Sequence, residues 1–466
     1  MRTAIAYLLI SLTAAGAFAQ GTIDWKKQEP EILRHYRALI QIDTSSPPGN
    51  ETKADEYLKK VLEAEGIPTK TFAKEPGRAN LVARLKGTGK KRPLLLMAHT
   101  DVVPVQREKW PVDPFGAILK DGYVWGRGSR DDKDKLAANL MVMLLAKRSG
   151  KPLDRDLIFL AESGEEADPT GVGIAWMVAN HFDEIEAEFA ITEGGGATSD
   201  NNGKVSIVTV GTTEKVPRRA RLIATGISGH GSVPRIDNPL IHLSQALAKV
   251  GTWETPMRLN DTTRAYFEKV AGMSAPEEAT RLNSLLTANP PESVQQYLAL
   301  HEPSRYSMLR TSIVPTMMKA GVGANVIPSE AEATLDIRAL PDEDITKFFD
   351  EMKKVINDPA VRIEPITGNL RPTAPPSRLD TDMYKAIEKV SKEMYPGVVV
   401  LPTMSTGASD MAQLRAKGIP SYGIGPAASE QDSAQYGAHG DVERLLESSV
   451  YRFVEFTWRV VMSVAN

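Results

Sequence analysis

The chain has 466 residues, 42% hydrophobic and 25% charged, an ordinary globular composition that excludes a disordered, collagen-like or coiled-coil protein. Its 56 basic and 59 acidic residues leave a formal charge of −3, which gives no basic surface for nucleic acid or anionic lipid. There is no cysteine, which excludes disulfides, thiolate-bound metals and a thiol nucleophile. The length predicts two domains or one domain with a large insertion.

Residues 1–19 have the pattern of an export signal. Arg2 precedes an apolar run, and Ala17-Phe18-Ala19 forms an A-x-A cleavage site. A membrane anchor or a core helix is the alternative, but the run is short for a membrane span and has no stop-transfer flank. We therefore expect cleavage after Ala19 and a secreted protein without membrane contact, which in a bacterium with two membranes means the periplasm.

After this segment, amphipathic helical patterns alternate with short apolar runs. Helices are predicted over 29–41, 52–65, 133–148 and 441–463, and strands over 94–97, 156–161, 189–191 and 421–424. The alternation of strands and helices indicates an α/β domain with a sheet covered on both faces.

The middle of the chain has a different pattern. Strands are predicted within 204–225 and 324–339, and amphipathic helices over 236–249 and 344–356. This order favours an antiparallel sheet with helices on one face, inserted in the α/β domain. We expect the insertion to span 213–366, between parts of the α/β domain at 20–212 and 367–466. Residues 251–312 within it are helical and polar and carry no motif.

Acidic side chains and a histidine follow three of the predicted strands. His99 follows the first strand, the pair Glu165–Glu166 follows the second, and Glu193 follows the third. Ligand sites of open α/β sheets form beyond the carboxyl ends of the strands. A single acid, or the lone pattern His99-x-Asp101, is more often structural, but several carboxylates in one crevice repel each other unless a cation neutralises them. Oxygen and nitrogen ligands without thiolate suit a pair of Zn²⁺, Co²⁺ or Mn²⁺ ions.

Seven sequence motifs occur in a fixed order along the chain. They are HTDVVP (99–104), GRGSRDDK (126–133), GEE (164–166), TEGG (192–195), GHGSVP (229–234), DIRALP (336–341) and GAHGDVERL (437–445). With these motifs, nearly the whole mature chain resembles the M20 family of co-catalytic zinc hydrolases, which includes carboxypeptidases, aminoacylases, dipeptidases and deacylases. The resemblance implies a zinc-exopeptidase catalytic domain, with a mixed sheet between helices, and an inserted α+β lid and dimerisation domain.

The resemblance also implies a ligand set for two Zn²⁺ ions per chain, with Co²⁺ or Mn²⁺ as alternatives. One metal is expected on His99 and Glu193, and the other on Glu166 and His439. Asp131 is expected to bridge both metals.

The same resemblance implies the residues of catalysis and substrate binding. Glu165 is the expected general base, because its lone pairs are not committed to a metal, and Asp101 is expected to support His99. His230 is expected to reach the active site from the inserted domain, across a dimer in several relatives, although a turn role would also fit it. Three positions are expected around the substrate carboxylate: Arg338, Asn325 and Gly407.

Three places depart from the usual pattern of the family. Asp134 stands where a glycine normally follows the lysine of the bridging motif, and Gly164 replaces an acid before the glutamate pair. Asp441-Val442 replaces Pro-Asn in the His439 motif. None of these residues is an expected ligand, so we expect an intact metal site, with consequences for fine geometry and substrate preference.

The sequence predicts an exported hydrolase that cleaves an amide bond next to a free C-terminal carboxylate, as a carboxypeptidase does. An N-acyl-amino-acid deacylase or a dipeptidase fits the same residues, since Arg338 would hold the free carboxylate of either substrate. A surface ion pair with Asp336 is the alternative for this arginine. A non-catalytic periplasmic peptide-binding protein is the remaining hypothesis. Glu165 argues against this hypothesis, because a protein that only binds peptide needs no further acid beside the metal ligands. We expect a small peptide or N-acyl amino acid as substrate, and a homodimer formed through the inserted domain.

Overall fold

The computed structural model describes residues 23–166, 171–200, 203–368 and 371–466 of the chain. The predicted export signal at 1–19 lies outside them. Within the described residues, no helix is both long enough and apolar enough to cross a bilayer. The α-helices are α1 (Trp25–Ile40), α2 (Thr52–Ala64), α3 (Lys133–Ser149), α4 (Ile174–Asn180), α5 (Phe182–Ile185), α6 (Pro239–Gly251), α7 (Asp261–Met273), α8 (Pro276–Ser284), α9 (Glu292–His301), α10 (Pro303–Met308), α11 (Ile345–Ile356), α12 (Asp382–Met394), α13 (Met411–Ala416), α14 (Glu430–Gln435) and α15 (Glu447–Ala465).

The strands form one large sheet, one smaller sheet and two short ribbons. They are β1 (Thr69–Glu75), β2 (Arg78–Leu85), β3 (Leu94–His99), β4 (Ile118–Lys120), β5 (Tyr123–Trp125), β6 (Leu157–Glu162), β7 (Phe189–Thr192), β8 (Gly196–Ser199), β9 (Val205–Glu214), β10 (Val216–Thr225), β11 (Gly229–His230), β12 (Ser312–Ala320), β13 (Val326–Ile327), β14 (Glu330–Ala339), β15 (Val361–Ile366), β16 (Val399–Ser405), β17 (Ser421–Gly423), β18 (Ala427–Ser429) and β19 (Arg444–Leu446).

The large sheet has the order β1-β2-β6-β3-β7-β17-β9-β8-β18, with β16 paired to β9. Its centre, β6-β3-β7-β17, is parallel, whereas β2 and β9 run antiparallel to their neighbours β6 and β17. Helices α1, α3, α12 and α15 bury one face, and α4 and α13 contribute to the cover of the other. This confirms the predicted mixed α/β sheet with helices on both faces.

Strand β3 shows why the central strands are apolar throughout. Leu94 and Leu96 pack into the core on one face, while Leu95 and Met97 pack into the core on the other. A parallel strand covered on both faces has no solvent side, so it shows no alternation of polar and apolar residues. The polar side chains of this region are therefore confined to the end of the strand.

The C-terminal helix begins later than its sequence pattern predicts. The prediction is a helix over 441–463, but α15 starts at Glu447, and β19 precedes it. Strand β19 pairs antiparallel with β5, with Arg444 opposite Trp125. The apolar spacing of this segment continues that of a helix, but pairing with a strand far away in sequence decides its backbone.

The smaller sheet is antiparallel with the order β12-β14-β10-β15. Helices α6 and α11 bury one of its faces, through Leu243 and Val250 on the first helix and Phe348 and Met352 on the second. We call this sheet with its two helices the lid. Its architecture is that expected of the insertion, and the residue limits 213–366 stay a prediction.

The segment without a motif, 251–312, packs mainly against the large sheet. Leu401 of β16 shares one core with the buried faces of α7, α8 and α9. Lys269 Nζ donates a hydrogen bond to the carbonyl oxygen of Val400 at 2.9 Å, and the hydroxyls of Thr212 and Thr262 are 2.7 Å apart. These helices therefore cover the edge of the large sheet at β16.

Candidate metal centre

Three parallel strands end at one edge of the large sheet, and each supplies functional side chains there. His99 is the last residue of β3 and lies opposite Glu162 at the end of β6. Glu165 and Glu166 follow β6, and Glu193 follows β7 directly. The carboxyl ends of these strands thus bring together side chains that are up to 94 positions apart in the chain.

The first group of possible metal ligands contains His99, Asp131, Asp132 and Glu193. One ligand atom from each lies within 4.8 Å of all the others. His99 Nε2 is 3.0 Å from Asp131 Oδ1, and Glu193 joins them from the neighbouring strand end. This group contains the residues predicted for one metal.

The second group contains Asp131, Glu166 and His439, again within 4.8 Å. His439 Nε2 lies 2.8 Å from Glu166 Oε2 and 3.2 Å from Asp131 Oδ2. Asp131 therefore belongs to both groups, and each of its two carboxylate oxygens faces a different histidine. This is the arrangement that a bridging carboxylate requires.

Asp132 is a member of the first group that the sequence reasoning did not single out. Its Oδ2 accepts a hydrogen bond from the backbone N–H of His99 at 3.2 Å, and its Oδ1 is 2.9 Å from Lys135 Nζ. Oδ2 thus has a hydrogen-bond partner and Oδ1 an ion-pair partner, and we assign Asp132 to holding the end of β3. Its place directly after Asp131 is the only signal for it in the sequence.

Asp101 holds the loop that carries the two glutamates. Its carboxylate accepts the backbone N–H groups of Gly164, Glu165 and Glu166 at 2.9, 3.1 and 3.1 Å. The ring of His99 contacts the carbonyl oxygen of Asp101 at 3.0 Å, closer than the carboxylate at 3.5 Å. Asp101 thus supports His99 mainly through its backbone, and its side chain fixes the second ligand loop.

The electrostatics of both groups suit divalent cations. Burial raises the pKa of Glu193 well above its usual value, and the charges of Glu165 and Asp131 add to this shift. Hydrogen bonds to Asp131 and Glu166 raise the pKa of His439 to about 10, because they stabilise the protonated ring. Buried carboxylates that need a positive partner are the environment in which a metal ion replaces protons. The donor set therefore fits a pair of cations with oxygen and nitrogen ligands.

One side of the second group is open. The side chain of His439 is 56% exposed, whereas that of Glu166 is 4% exposed. Structural metal sites are usually closed, and catalytic sites leave a position for water or substrate. The openness beside His439 is typical of a catalytic site.

A cage of aromatic rings anchors the loop that carries His439. The guanidinium carbon of Arg444 lies 3.9 Å from the ring centre of Tyr123, 4.9 Å from that of Trp125 and 3.8 Å from that of Tyr436. Arg444 also forms an ion pair of 2.6 Å with Asp432. Cation–π contacts and a charged hydrogen bond together fix this arginine.

Glu443, next to Arg444, ties the same loop to the Asp131 loop. Its buried carboxylate lies 2.8 Å from Arg127 Nη1 and accepts the backbone N–H groups of Gly128 and Arg130 at 3.1 and 2.5 Å. The two loops that supply Asp131 and His439 are therefore held to each other by residues outside the ligand groups.

Glu165 lies beside both ligand groups and belongs to neither of them. Arg371 Nη2 donates to Glu165 Oε1 at 2.6 Å, and Arg371 Nη1 is 3.2 Å from Asp410 Oδ1. Sequence reasoning missed Arg371, which lies in none of the seven motifs. An arginine in a proline-rich connection gives no signal of its own.

The structure does not place the other predicted residues in these groups. His230 and Asn325 are brought together at the ribbon β11–β13, where the Asn325 carbonyl accepts the N–H of Gly231 at 2.7 Å. The ring of His230 contacts Ser232, with Nδ1 2.8 Å from the hydroxyl Oγ and accepting the backbone N–H at 3.1 Å. Arg338 forms a bidentate pair with Asp336, at 3.0 and 3.1 Å.

Gly407 lies in the loop after β16. Its N–H donates to Ser405 Oγ at 3.1 Å, and a Cβ at this position would meet only that hydroxyl, at 3.3 Å. The loop leads into α13 through Asp410, which contacts Arg371. Gly407 is therefore on the segment that borders the site, without a contact to either ligand group in the described residues.

The model of peptidase family M20/M25/M40 matches residues 95–463. A probable carboxypeptidase S-like 2 from Dictyostelium discoideum is 29% identical over 397 residues, which cover 82% of this chain and 74% of the relative. Aminoacylase-1 from Homo sapiens is 25% identical over 94% of this chain and 97% of its own length. The crystal structure of the M20 family metallo-carboxypeptidase Sso-CP2 from Sulfolobus solfataricus has a TM-score of 0.67 at 20% identity, over 93% of this chain and 99% of the other, and shows the same fold.

The Arg444 cage leads to a prediction about metal binding. We expect Arg444→Ala to weaken binding of the metal at Glu166 and His439 by roughly 10–100-fold, because loss of supporting contacts around a ligand has this effect. The metal at His99 and Glu193 is expected to bind as before. Titration of the metal-free protein with Co²⁺, followed by calorimetry and visible absorbance, measures both affinities.

Arg452→Ala is the matched control for this prediction. Arg452 also faces an aromatic ring, that of Tyr395 at 5.2 Å, but it lies on α15 away from the ligands. Equal weakening of both metals in Arg444→Ala, or an effect of the same size in Arg452→Ala, would contradict a local role of the cage.

Proposed function

The chain belongs to peptidase family M20/M25/M40, as its motifs predict, and we propose that it is a dinuclear metal hydrolase that cleaves an amide bond next to a free carboxylate. The observation that carries the proposal is Glu165, a carboxylate beside two ligand groups that share Asp131, yet outside both of them. A site that only binds metal or peptide needs the ligands alone. An additional acid that is not a metal ligand is what amide hydrolysis requires.

The two ligand groups would hold two divalent cations, with Zn²⁺ as the proposed ion and Co²⁺ or Mn²⁺ as alternatives. Such a pair polarises an amide carbonyl and makes hydroxide available near neutral pH. Asp131 would hold both positions at a fixed separation. His99 and Glu193 would complete the first metal position. Glu166 and His439 would complete the second.

Glu165 would move the proton of the reaction. Its carboxylate would take one proton from the attacking water and deliver it to the nitrogen of the leaving amine, so that the amide C–N bond is replaced by a C–O bond. The charge on Glu165 is held near the ligands, since it contributes to the raised pKa of Glu193. The ligand Glu166 could not act in this way, because its oxygens would be bound to metal.

Substrate selection is assigned to the lid. The planar guanidinium of Arg338 offers two parallel donors to a carboxylate, and Asp336 now occupies them. We propose that the substrate carboxylate replaces Asp336 when the lid closes, with Asn325 and Gly407 as further donors and His230 at the developing oxyanion. A free carboxylate on the substrate is therefore required.

A carboxypeptidase is the first candidate, and an N-acyl-amino-acid hydrolase is the second. The second is favoured by the extent of the match to aminoacylase-1, which includes 97% of that protein. Both reactions release an amino acid with a free carboxylate, so the same Arg338 serves either. The two activities differ in the group on the acyl side of the amide bond that is cleaved.

The experiment is a hydrolysis screen with a base variant. The purified protein, loaded with Zn²⁺, is assayed on dipeptides, longer peptides and N-acyl amino acids, each with a free or an amidated carboxyl end. We expect hydrolysis of the free-acid substrates only, and loss of turnover with a chelator. Glu165→Gln is expected to lower kcat by at least about 100-fold with both metals still bound.

Glu56→Gln serves as the control, since Glu56 is an exposed residue of α2. Metal binding without hydrolysis of any amide would favour the non-catalytic binding protein. Turnover retained in Glu165→Gln would overturn the assignment of the base.

We also propose a homodimer formed through the lid. Strand β12 is an edge of the smaller sheet, and its residues Met317 and Met318 are 69% and 60% exposed. Val322 after the strand and Ile241 on α6 add further exposed apolar side chains. An uncovered edge strand with large apolar residues promotes aggregation of a monomer, and such strands typically pair with another chain.

We expect the wild-type protein to have twice the chain mass in light scattering coupled to size exclusion. The double variant Met317→Glu/Met318→Glu should be monomeric, because charges on the strand would have to be buried at the interface. Leu300→Glu, which alters a 78% exposed leucine on α9, should remain dimeric. A monomeric wild-type protein with full activity would exclude both the dimer and a His230 supplied by a partner.

Finally, we propose that the protein is exported and that residues 1–19 are removed. The supporting observation is the Ala17-Phe18-Ala19 site after an apolar run. N-terminal sequencing of protein from the periplasmic fraction of an expressing two-membrane bacterium should begin at Gln20. Full-length protein in the cytosolic fraction alone would contradict export.

A further inference from the structure

The carboxylate of Glu165 is surrounded by other acids. Glu162 and Asp410 are buried and Glu193 is half-buried, and the charge of Glu165 contributes to the raised pKa of each of them. Burial itself is the largest cause of these shifts, and it raises the pKa of Asp410 to about 7. Negative charges on these acids repel the carboxylate of Glu165, so a positive or hydrogen-bonding partner is needed to hold it in place.

Arg371 is that partner. Its Nη2 donates to Glu165 Oε1 at 2.6 Å and to the carbonyl oxygen of Glu165 at 3.1 Å. Its Nη1 lies 3.2 Å from Asp410 Oδ1, at the start of α13. The side chains of Arg371 and Glu165 are 21% and 10% exposed, so the pair is shielded from bulk water. One guanidinium thus joins the Glu165 loop to a second element that borders the site.

The backbone of Arg371 is held from the lid. Arg371 lies on the connection that leaves the lid after β15 and returns to α12. Arg218 Nη1, on lid strand β10, donates to the carbonyl oxygen of Arg371 at 3.0 Å. The connection between the lid and the domain of the large sheet therefore positions the guanidinium of Arg371.

We propose that Arg371 is a positioning residue that fixes the carboxylate of Glu165 for proton transfer. The proposal rests on the proposed function, because it takes Glu165 as the general base. Arg371 occupies Oε1 and the backbone carbonyl of Glu165, which restricts rotation of the carboxylate and leaves Oε2 to take and release the proton. A base held in one orientation does not need to be ordered again in each turnover.

The first experiment separates positioning from substrate binding. Arg371→Gln removes the charge and one donor direction, and we expect kcat to fall by about 10–100-fold with KM changed less than about threefold. Arg371→Lys keeps a charged donor and should retain more activity than Arg371→Gln. A rise in KM at constant kcat would instead make Arg371 a substrate-binding residue and overturn the proposal.

The matched control is Arg378→Gln. Arg378 lies on the same connection and pairs with Asp380, but both side chains are exposed, at 76% and 63%. This variant should leave kcat and KM unchanged. Addition of guanidinium ion should restore part of the activity of Arg371→Ala and none in Glu165→Gln, because it can replace a missing positioning group but not a missing base. No rescue in Arg371→Ala would count against the proposal.

Metal content and hydrogen exchange complete the test. Both metals should remain bound in Arg371→Gln, and loss of either would make the residue part of the metal site and contradict the proposal. We expect faster backbone hydrogen exchange at 163–166 and in α13, with no change in β3. Unchanged exchange would show that Arg371 does not hold Glu165. This measurement needs no substrate, so it decides the role of Arg371 even if the hydrolysis screen of the wild-type protein fails.

Discussion

The carboxylate of Asp131 is the constraint on which the rest of the site depends. Its two oxygens face His99 and His439, which are far apart in the chain, and Glu193 and Glu166 are the other predicted ligands of the two groups. Burial opposes ionisation of Asp131, yet hydrogen bonds from the two histidines hold its pKa below its usual value. A buried charge shared in this way keeps its geometry only if the loops around it do not move. The fold supplies this rigidity with carboxylates that are not ligands.

Two such acids use the same physical device. Asp101 accepts three consecutive backbone N–H groups of the Glu165–Glu166 loop, and Glu443 accepts two N–H groups of the Asp131 loop. A buried carboxylate can satisfy several donors of an irregular loop at once, where regular secondary structure is absent. The irregular segments that carry the ligands are thereby held in place by hydrogen bonds to buried carboxylates.

Each of the two connections between the large sheet and the lid contains a basic residue, which is buried in the first and half-buried in the second. Lys215 stands between β9 and β10, and its Nζ donates to the Ser307 carbonyl and to Ser312 Oγ at 3.0 and 2.9 Å. Burial lowers the pKa of Lys215 to about 7. Arg371 occupies the return connection and faces Glu165. If the lid moves, the two connections that carry Lys215 and Arg371 must change conformation. The position of the lid is therefore linked to the charges near the site.

The layered α/β fold could be predicted from the sequence pattern, and the resemblance carried by the motifs named every member of the two ligand groups except Asp132. The apolar run 94–97 marks a strand covered on both faces, and His99, Glu166 and Glu193 lie at or after the ends of such strands, where a parallel sheet presents polar side chains. Asp131 and His439 lie in loops before α3 and after α14, and only their motifs indicated them in the sequence.

Contacts between segments that are distant in the chain could not be predicted from the sequence. Arg371 meets Glu165 across 206 positions, and Arg444 enters a cage that includes Tyr123. No periodicity marks either arginine, because their partners are chosen by the folding of loops and connections. For the same reason, pairing with β5 made a strand of residues 444–446, where the local pattern predicts a helix. Local sequence encodes the secondary-structure elements and the functional residues at their ends. The orientation of those side chains depends on packing between distant segments, which no single segment contains.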